Sequence, residues 1–204
     1  PYRHPALVAN MAASLDIVSG GRLELGLGAG WNEQETEAYG IDLLPMGQRM
    51  DRFEEAVEVI DSLLSHELTT FQGKYFQLEQ ARCEPKGPQQ PRLPIVIGGG
   101  GEKRTLRIAA KFAQHWNLSF ATPEVFRKKN EILLAHCGSV GRDSSLIMRS
   151  VQIASTPDQD PAEVADNAAA LFAVGVDQVI FTLRTPYRAE RVTALAKSLE
   201  AITS

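Results

Sequence analysis

Short apolar strands alternate with amphipathic helices along most of this chain. Strand patterns centre on residues 23, 95, 116, 148 and 179, each joined to the next unit by a helical pattern. Strands linked by helical crossovers run parallel, because the helix returns the chain to the edge of the sheet where it began. The alternation predicts an α/β fold, either an open doubly wound sheet or part of an eightfold barrel. A whole barrel takes about 250 residues, so the chain looks about three units short of one.

Helices are predicted from apolar residues at steps of three and four, and from capping signals. The apolar periods place helices over residues 5–14, 48–64 and 102–113, and a short acidic helix that Gly40 closes is expected over residues 32–39. An oxygen-bearing residue before a proline marks three further starts, at Thr122-Pro123, Asp160-Pro161 and Thr185-Pro186. Residues 68–78 predict a β-hairpin that turns at Gln72-Gly73. A single barrel domain over residues 1–204, with this hairpin as an insertion, is expected.

Composition limits the class of partner. The chain has 21 basic and 25 acidic residues and a formal charge of −4, without a basic block, which disfavours nucleic acid and anionic membranes as partners. Cys83 and Cys137 lack metal-ligand spacing and are expected to be buried thiols in a reducing cytoplasm. No apolar run approaches the roughly 20 residues of a membrane span. Since the chain begins at Pro1, it is expected to be part of a longer protein.

The first glycine-rich turn follows the strand near residue 23 and runs from Gly26 to Asn32. The dinucleotide fingerprint G-x-G-x-x-G requires a glycine where Trp31 stands, so a Rossmann site is disfavoured. Glycines at such a junction either relieve crowding or let a flat ring lie against the backbone. In the second interpretation, Gly28 and Gly30 face the ring and Asn32 hydrogen-bonds its edge.

The second glycine-rich turn is the run Gly98-Gly99-Gly100-Gly101, which follows the apolar strand Ile95–Ile97. A predicted helix comes next, so free N–H groups and the positive end of a helix dipole meet at one point. Such a point favours phosphate, and Arg104 in the first helical turn would add positive charge. The alternative is a tight strand-to-helix turn without a ligand. Four successive glycines favour the phosphate site.

Other chemistry-bearing residues give weaker signals. Trp116 and Asn117 are neighbours on a strand, so one side chain points inward and the other outward. An inward Asn117 would line a substrate pocket, and a core tryptophan beside a loop-facing amide is an equal alternative. Each of the four histidines is expected to be structural, and no metal site is predicted.

Four segments carry a family resemblance: Tyr2–Leu7, Leu15–Arg22, Leu25–Asn32 and Pro94–Gly101. Together they closely resemble the luciferase-like monooxygenase superfamily, and within it the branch that uses the deazaflavin coenzyme F420. The match is specific in the first half of the chain and diffuse after about Ala121. It implies a (β/α)8 TIM barrel of the bacterial luciferase-like type, of which this chain holds strands 4 to 8.

The resemblance also implies where a cofactor binds, at the C-terminal mouth of the barrel. The loop Gly28–Asn32 would contact the ring system or its side chain, and the loop Gly98–Arg104 would hold the phosphate. Some sugar-phosphate dehydrogenases of the family carry an acidic catalytic residue just after the first glycines. Trp31 occupies that neighbourhood here, and Glu33 is not assigned the role. Luciferase itself has a basic residue near the position of Ala29, and this chain lacks it. No catalytic residue is assigned.

The expected activity is hydride transfer between F420 and a small organic substrate, with the ring carrying the chemistry. An FMN-dependent monooxygenase that activates oxygen is the alternative enzyme. A third interpretation, from another class, is a non-catalytic barrel fragment or binding remnant, because a barrel without three strands leaves two open edges. The resemblance further implies a possible homodimer.

Overall fold

The computed structural model describes the backbone of residues 1–203 and the side chains of residues 1–200. The chain divides into two compact units. The first unit comprises residues 1–97 and 111–114, and the second comprises residues 98–110 and 115–204. Elements up to residue 98 are α1 Pro5–Ser19, β1 Leu25–Leu27, α2 Glu33–Ala38, α3 Met46–Ser65, β2 Thr69–Gln72, β3 Gln77–Ala81 and β4 Ile95–Gly98. They are followed by α4 Thr105–Phe112, β5 His115–Ser119, α5 Pro123–Val140, β6 Met148–Ser155, α6 Pro161–Ala173, β7 Gln178–Leu183 and α7 Ala189–Thr203.

The first unit is built on a parallel strand pair and two long helices. Strand β1 pairs with β4, with Leu25 opposite Ile95 and Leu27 opposite Ile97. Helices α1 and α3 pack together, and α1 contributes a buried stripe of alanines at Ala9, Ala12 and Ala13. Small side chains allow two helices to approach closely. The larger apolar residues of α1 therefore lie on a second face, which is exposed.

The predicted hairpin is present, but its turn comprises residues 73–76 and not Gln72-Gly73, because Gln72 still pairs with Gln77 in the ladder. Strands β2 and β3 pair antiparallel, with Phe71 opposite Leu78. The turn between them is held from α3: the Glu55 carboxylate accepts the backbone N–H groups of Lys74, Tyr75 and Phe76 at 2.9, 2.8 and 3.2 Å. Backbone donors that would otherwise face solvent are satisfied by a fixed anion.

The second unit is a three-stranded parallel sheet with helices between its strands. Strand β5 pairs with β6, and β6 pairs with β7, both in parallel. The caps predicted at Thr122 and Asp160 are confirmed, because their side chains accept the N–H groups of Val125 and Ala162. All five strands predicted from the alternation are present.

Three predicted helix boundaries are wrong. Helix α1 continues past residue 14 to Ser19, where Gly20 caps it in the left-handed region with φ +66°. Helix α4 begins at Thr105 and not at Glu102, because residues 102–104 form a turn. Thr185-Pro186 does not start a helix. The Arg184 N–H still bonds the Ser155 carbonyl at 3.1 Å, so the chain turns first and α7 begins at Ala189.

Candidate functional site

The first glycine-rich turn leaves β1 and leads into α2. A Cβ at Gly28 would meet no atom within 4 Å, whereas Gly30 has a φ of +83° that L-residues rarely adopt. Trp31 follows with 84% of its surface exposed. Asn32 caps α2 by accepting the Glu35 N–H at 3.2 Å through Oδ1. Its Nδ2 group makes no hydrogen bond with the described residues, so Asn32 can hold α2 and donate to a ligand at once.

In the tetraglycine turn, the backbone conformation or the packing of the protein itself requires glycine at three of the four positions. Gly99 has φ +111°, its N–H donates to the Asn117 carbonyl at 2.9 Å, and its carbonyl accepts from Trp116 Nε1 at 2.9 Å. A Cβ at Gly100 would lie 2.8 Å from Leu118 Cδ1, and one at Gly101 would lie 2.7 Å from Thr105 Oγ1.

Gly98 is the exception in this turn. It is exposed at the carboxyl end of β4, and a Cβ there would meet nothing within 4 Å. Glycine within a strand costs roughly 0.5–1 kcal/mol relative to alanine. A strand glycine that the protein's own packing does not require often marks a close approach by a ligand or another backbone.

Cationic groups surround the same turn. Lys129 Nζ bonds Glu102 Oε1 at 2.8 Å, and Lys128 Nζ lies 3.8 Å from the same oxygen. The hydrogen bond and charge of Lys129, with a smaller effect of Lys128, lower the pKa of Glu102 below its ordinary value. The Glu102 carbonyl accepts from His136 Nε2 at 2.8 Å, so this histidine has a structural role. Arg104 is half-buried in the same turn.

The sheet places the side chains of Trp116 and Asn117 on opposite faces. Trp116 is fully buried and stacks on Phe126, with ring centroids 5.7 Å apart. Asn117 points to the opposite face, where its Nδ2 donates to Ser150 Oγ at 2.7 Å. Gln152 Nε2 in turn donates to Asn117 Oδ1 at 2.9 Å. Asn117 therefore belongs to a hydrogen-bonded polar row, which the sequence reasoning did not foresee.

Sequence reasoning also missed a cavity in the first unit. It has a volume of about 930 Å³, lies among α1, β1 and α3, and is lined mainly by apolar side chains, among them Met11, Leu15, Val18, Leu25 and Leu27. The sequence of α1 contained a sign of this cavity, because Met11, Leu15 and Val18 recur at helical steps and form an apolar stripe that remains exposed. Gly28 and Ala29 border it. The edge of β1 away from β4 pairs with no described strand. A further strand could pack into such a space, so the cavity alone assigns no ligand.

Two other expectations concern thiols and metals. Cys83 and Cys137 are buried and unbridged, as predicted. Burial raises the pKa of both thiols, which keeps them protonated and unreactive near neutral pH. Within the described residues, His, Cys, Asp and Glu form no group of three that could hold a metal ion. Among the described helices, none has both the length and the hydropathy of a membrane span.

Comparison with known proteins identifies the family. The profile of the luciferase-like monooxygenases matches residues 1–202. The pyrimidine monooxygenase RutA of Agrobacterium fabrum is 31% identical over 163 residues, which are 76% of this chain and 44% of that protein. The F420-dependent glucose-6-phosphate dehydrogenase of Kineococcus radiotolerans is 31% identical over 170 residues, which are 80% of this chain and 48% of that protein. The chain thus spans less than half the length of these relatives.

Solved structures agree on the fold. An F420-dependent secondary alcohol dehydrogenase superposes with a TM-score of 0.87 at 19% identity, covering 98% of this chain and 76% of that one. The long-chain alkane monooxygenase LadA superposes with a TM-score of 0.82 at 15% identity, covering 99% of this chain and 67% of that one. The five strand-and-helix units are accordingly those of a TIM barrel of this type. The chain belongs to the luciferase-like monooxygenase family.

Proposed function

We propose that this chain is part of an F420-dependent oxidoreductase that transfers hydride to or from a small organic substrate. Gly98 carries the proposal: it is exposed at the end of a parallel strand, next to a cationic turn, and the protein's own packing does not require it. A bare backbone beside positive charge suits the approach of a phosphate. The F420-dependent relative and structural neighbour support the choice of cofactor.

The two glycine-rich turns take different tasks in this proposal. Gly98, the amides that follow Gly99, and Arg104 hold the phosphate. The Gly99 N–H is committed to Asn117 and cannot contribute. Lys129 lies close to the turn, since a Cβ at Gly100 would be 3.7 Å from its Cε, and a bound phosphate would share its ammonium group with Glu102. The turn from Gly28 to Asn32 contacts the ring, through an open backbone at Gly28, the exposed face of Trp31 and the free Nδ2 of Asn32.

Bound deazaflavin would supply the hydride acceptor or donor, and the protein supplies orientation and electrostatics. Trp31 can cover one face of a ring and exclude water from it. Asn32 can fix the ring's edge, since its own position is set by the cap of α2. Each of these tasks is positional, and no side chain is assigned as the proton donor.

An FMN-dependent monooxygenase is the second candidate, because RutA and LadA are monooxygenases by name. The test is a parallel titration of the protein with F420 and with FMN. It is followed by spectral bleaching of F420 with candidate donors and by oxygen consumption with reduced FMN. Selective F420 binding with bleaching supports the proposal. Selective FMN binding with oxygen uptake would replace it by the monooxygenase.

We further propose a cytoplasmic, homodimeric protein with a small-molecule substrate and a single barrel domain. Buried, protonated thiols support a reducing compartment. Light scattering of the purified protein tests the dimer, since a monomeric mass would contradict it.

A further inference from the structure

One face of the sheet in the second unit carries a row of polar side chains, whereas the interior of an eightfold barrel is usually apolar. Residues in register in a parallel sheet share a face. Asn117 lies opposite Ser150, which lies opposite Gln178, and Ser119 lies opposite Gln152. The interior of an eightfold barrel is normally filled by bulky branched residues. The apolar residues of β5 and β6, such as Trp116 and Val151, lie on the other face.

The row forms a chain of hydrogen bonds with a direction. Gln152 donates to Asn117 at 2.9 Å, and Asn117 donates to Ser150 at 2.7 Å. Ser150 Oγ lies 2.6 Å from His115 Nε2. Since the Ser150 oxygen already accepts from Asn117, its own proton can go to the unprotonated nitrogen of His115. Ser150 is fully buried and Asn117 is 9% exposed, so the inner end of the chain is fixed.

Gln152 is the outer end of this chain. It lies opposite Ser119, the last residue of β5, at the carboxyl end of that strand. Ligand sites of barrel enzymes lie at this end of the strands. One N–H of Gln152 is committed to Asn117, and its Oε1 accepts no hydrogen bond from the described residues. Its half-buried side chain therefore offers an oriented acceptor and a second N–H donor.

The charge of the row restricts the ligand. Asn117, Ser119, Ser150, Gln152 and Gln178 are all neutral. An anionic group would find no cation among these five side chains, and a hydrocarbon would leave the open Gln152 oxygen desolvated and unpaired. A neutral group with a donor next to an acceptor satisfies both edges of the amide.

We propose that Gln152 is a specificity-determining residue that recognises a neutral amide or lactam edge of a ligand. The proposal rests on the proposed function, because such an edge can come from the cofactor ring or from the substrate. Asn117 and Ser150 act as positioning residues that hold the Gln152 amide in one orientation.

Two related probes test the chemistry: 2-pyrrolidinone has a lactam N–H beside its carbonyl, and N-methyl-2-pyrrolidinone lacks the N–H. In ¹⁵N-labelled protein, 2-pyrrolidinone should shift the side-chain NH₂ signal of Gln152, and the methylated probe should shift it less. In Gln152→Leu the affinity for 2-pyrrolidinone should fall about tenfold, the ratio that about 1.4 kcal/mol represents. Gln178→Leu is the matched control and should bind as wild type. An unmoved Gln152 signal in the wild-type protein overturns the proposal, whatever the variants do.

The source of the edge is decided with F420. If the cofactor supplies it, the dissociation constant of F420 rises in Gln152→Leu and F420 displaces 2-pyrrolidinone. If the substrate supplies it, F420 binds both proteins equally and 2-pyrrolidinone binds the F420-loaded protein. Equal F420 and probe binding by wild type and Gln152→Leu overturns the inference and leaves the proposed function standing. Failure of F420 to bind the wild type, with the Gln152 signal still shifted by the probe, overturns only the proposed function.

Discussion

Both glycine-rich turns follow a strand and precede a helix, and they differ in what their glycines do. In the turn after β1, a Cβ at Gly28 would meet no atom within 4 Å, and the residues that follow include an exposed tryptophan and a helix cap. In the turn after β4, Gly100 and Gly101 are packed against Leu118 and Thr105. A run of glycines is therefore no measure of ligand binding by itself. A glycine can mark a ligand only where a side chain would fit and the glycine also lies at the candidate site, as Gly98 does and Gly138 within α5 does not.

The largest expected effect is a loss of stability on substitution of Gly100, which is packed against Leu118. Gly100→Val places a branched side chain where a Cβ alone would lie 2.8 Å from Leu118 Cδ1. Overpacking of this kind costs about 1–3 kcal/mol of unfolding free energy. Thermal denaturation should show a clearly lowered Tm, together with weakened F420 binding. The matched variant Gly98→Ala should keep the wild-type Tm. An unchanged Tm in Gly100→Val would contradict the packing account of this turn.

A smaller effect is expected at the exposed ring of the first turn. Trp31→Ala should weaken F420 binding about fivefold, because aromatic contacts contribute about 1 kcal/mol. Stability should not change, since the side chain is 84% exposed and adds nothing to the core. Fluorescence titration measures the affinity. Tyr187→Ala removes an aromatic side chain that is 73% exposed and serves as the control. Equal affinities of Trp31→Ala and wild type would remove Trp31 from the proposed ring contacts.

The smallest effect concerns the competition for Lys129. Glu102→Gln should raise the affinity for sulfate, a stand-in for phosphate, about two- to threefold, because the ammonium group loses its anionic partner. In the wild type the pKa of Glu102 lies below its ordinary value. Glu102 therefore stays ionised from pH 8 to 5, and sulfate affinity should increase only as the pH falls through that lowered pKa. Calorimetric titration at several pH values checks this, with Glu124→Gln as the control. A lower affinity in Glu102→Gln would show that Glu102 organises the site.

The sequence was sufficient where a local signal decides structure. The caps at Thr122 and Asp160 and the hairpin around Gly73 follow from residue types at fixed spacings. The helix start predicted at Thr185-Pro186 is wrong, because the Arg184 N–H still bonds the Ser155 carbonyl and keeps the chain beside β6 after the last residue of β7. Local propensity does not contain such a bond.

The sequence was sufficient to locate the loops of the candidate site, and it was not sufficient to predict the contacts within them. Both glycine turns could be found by their composition and their position after a strand. Two contacts depend on the register between strands that lie about 20 and 35 residues apart in sequence. They are the hydrogen bond from the Gly99 N–H to the Asn117 carbonyl and the bond from Gln152 to the Asn117 side chain. The cavity beside β1 arises from the packing of two helices, and the α1 stripe of Met11, Leu15 and Val18 was its only trace.

The most direct test of the central claim is a titration of F420 into wild type, Gly98→Ala and Gly138→Ala. A Cβ fits at both glycines without touching any atom within 4 Å, so neither substitution should disturb the fold. Gly138 lies within α5 and belongs to neither glycine-rich turn. The account predicts that Gly98→Ala weakens F420 binding about tenfold, about 1.4 kcal/mol, and that Gly138→Ala leaves it unchanged. Equal F420 affinity in all three proteins would contradict the claim that the end of β4 meets the cofactor.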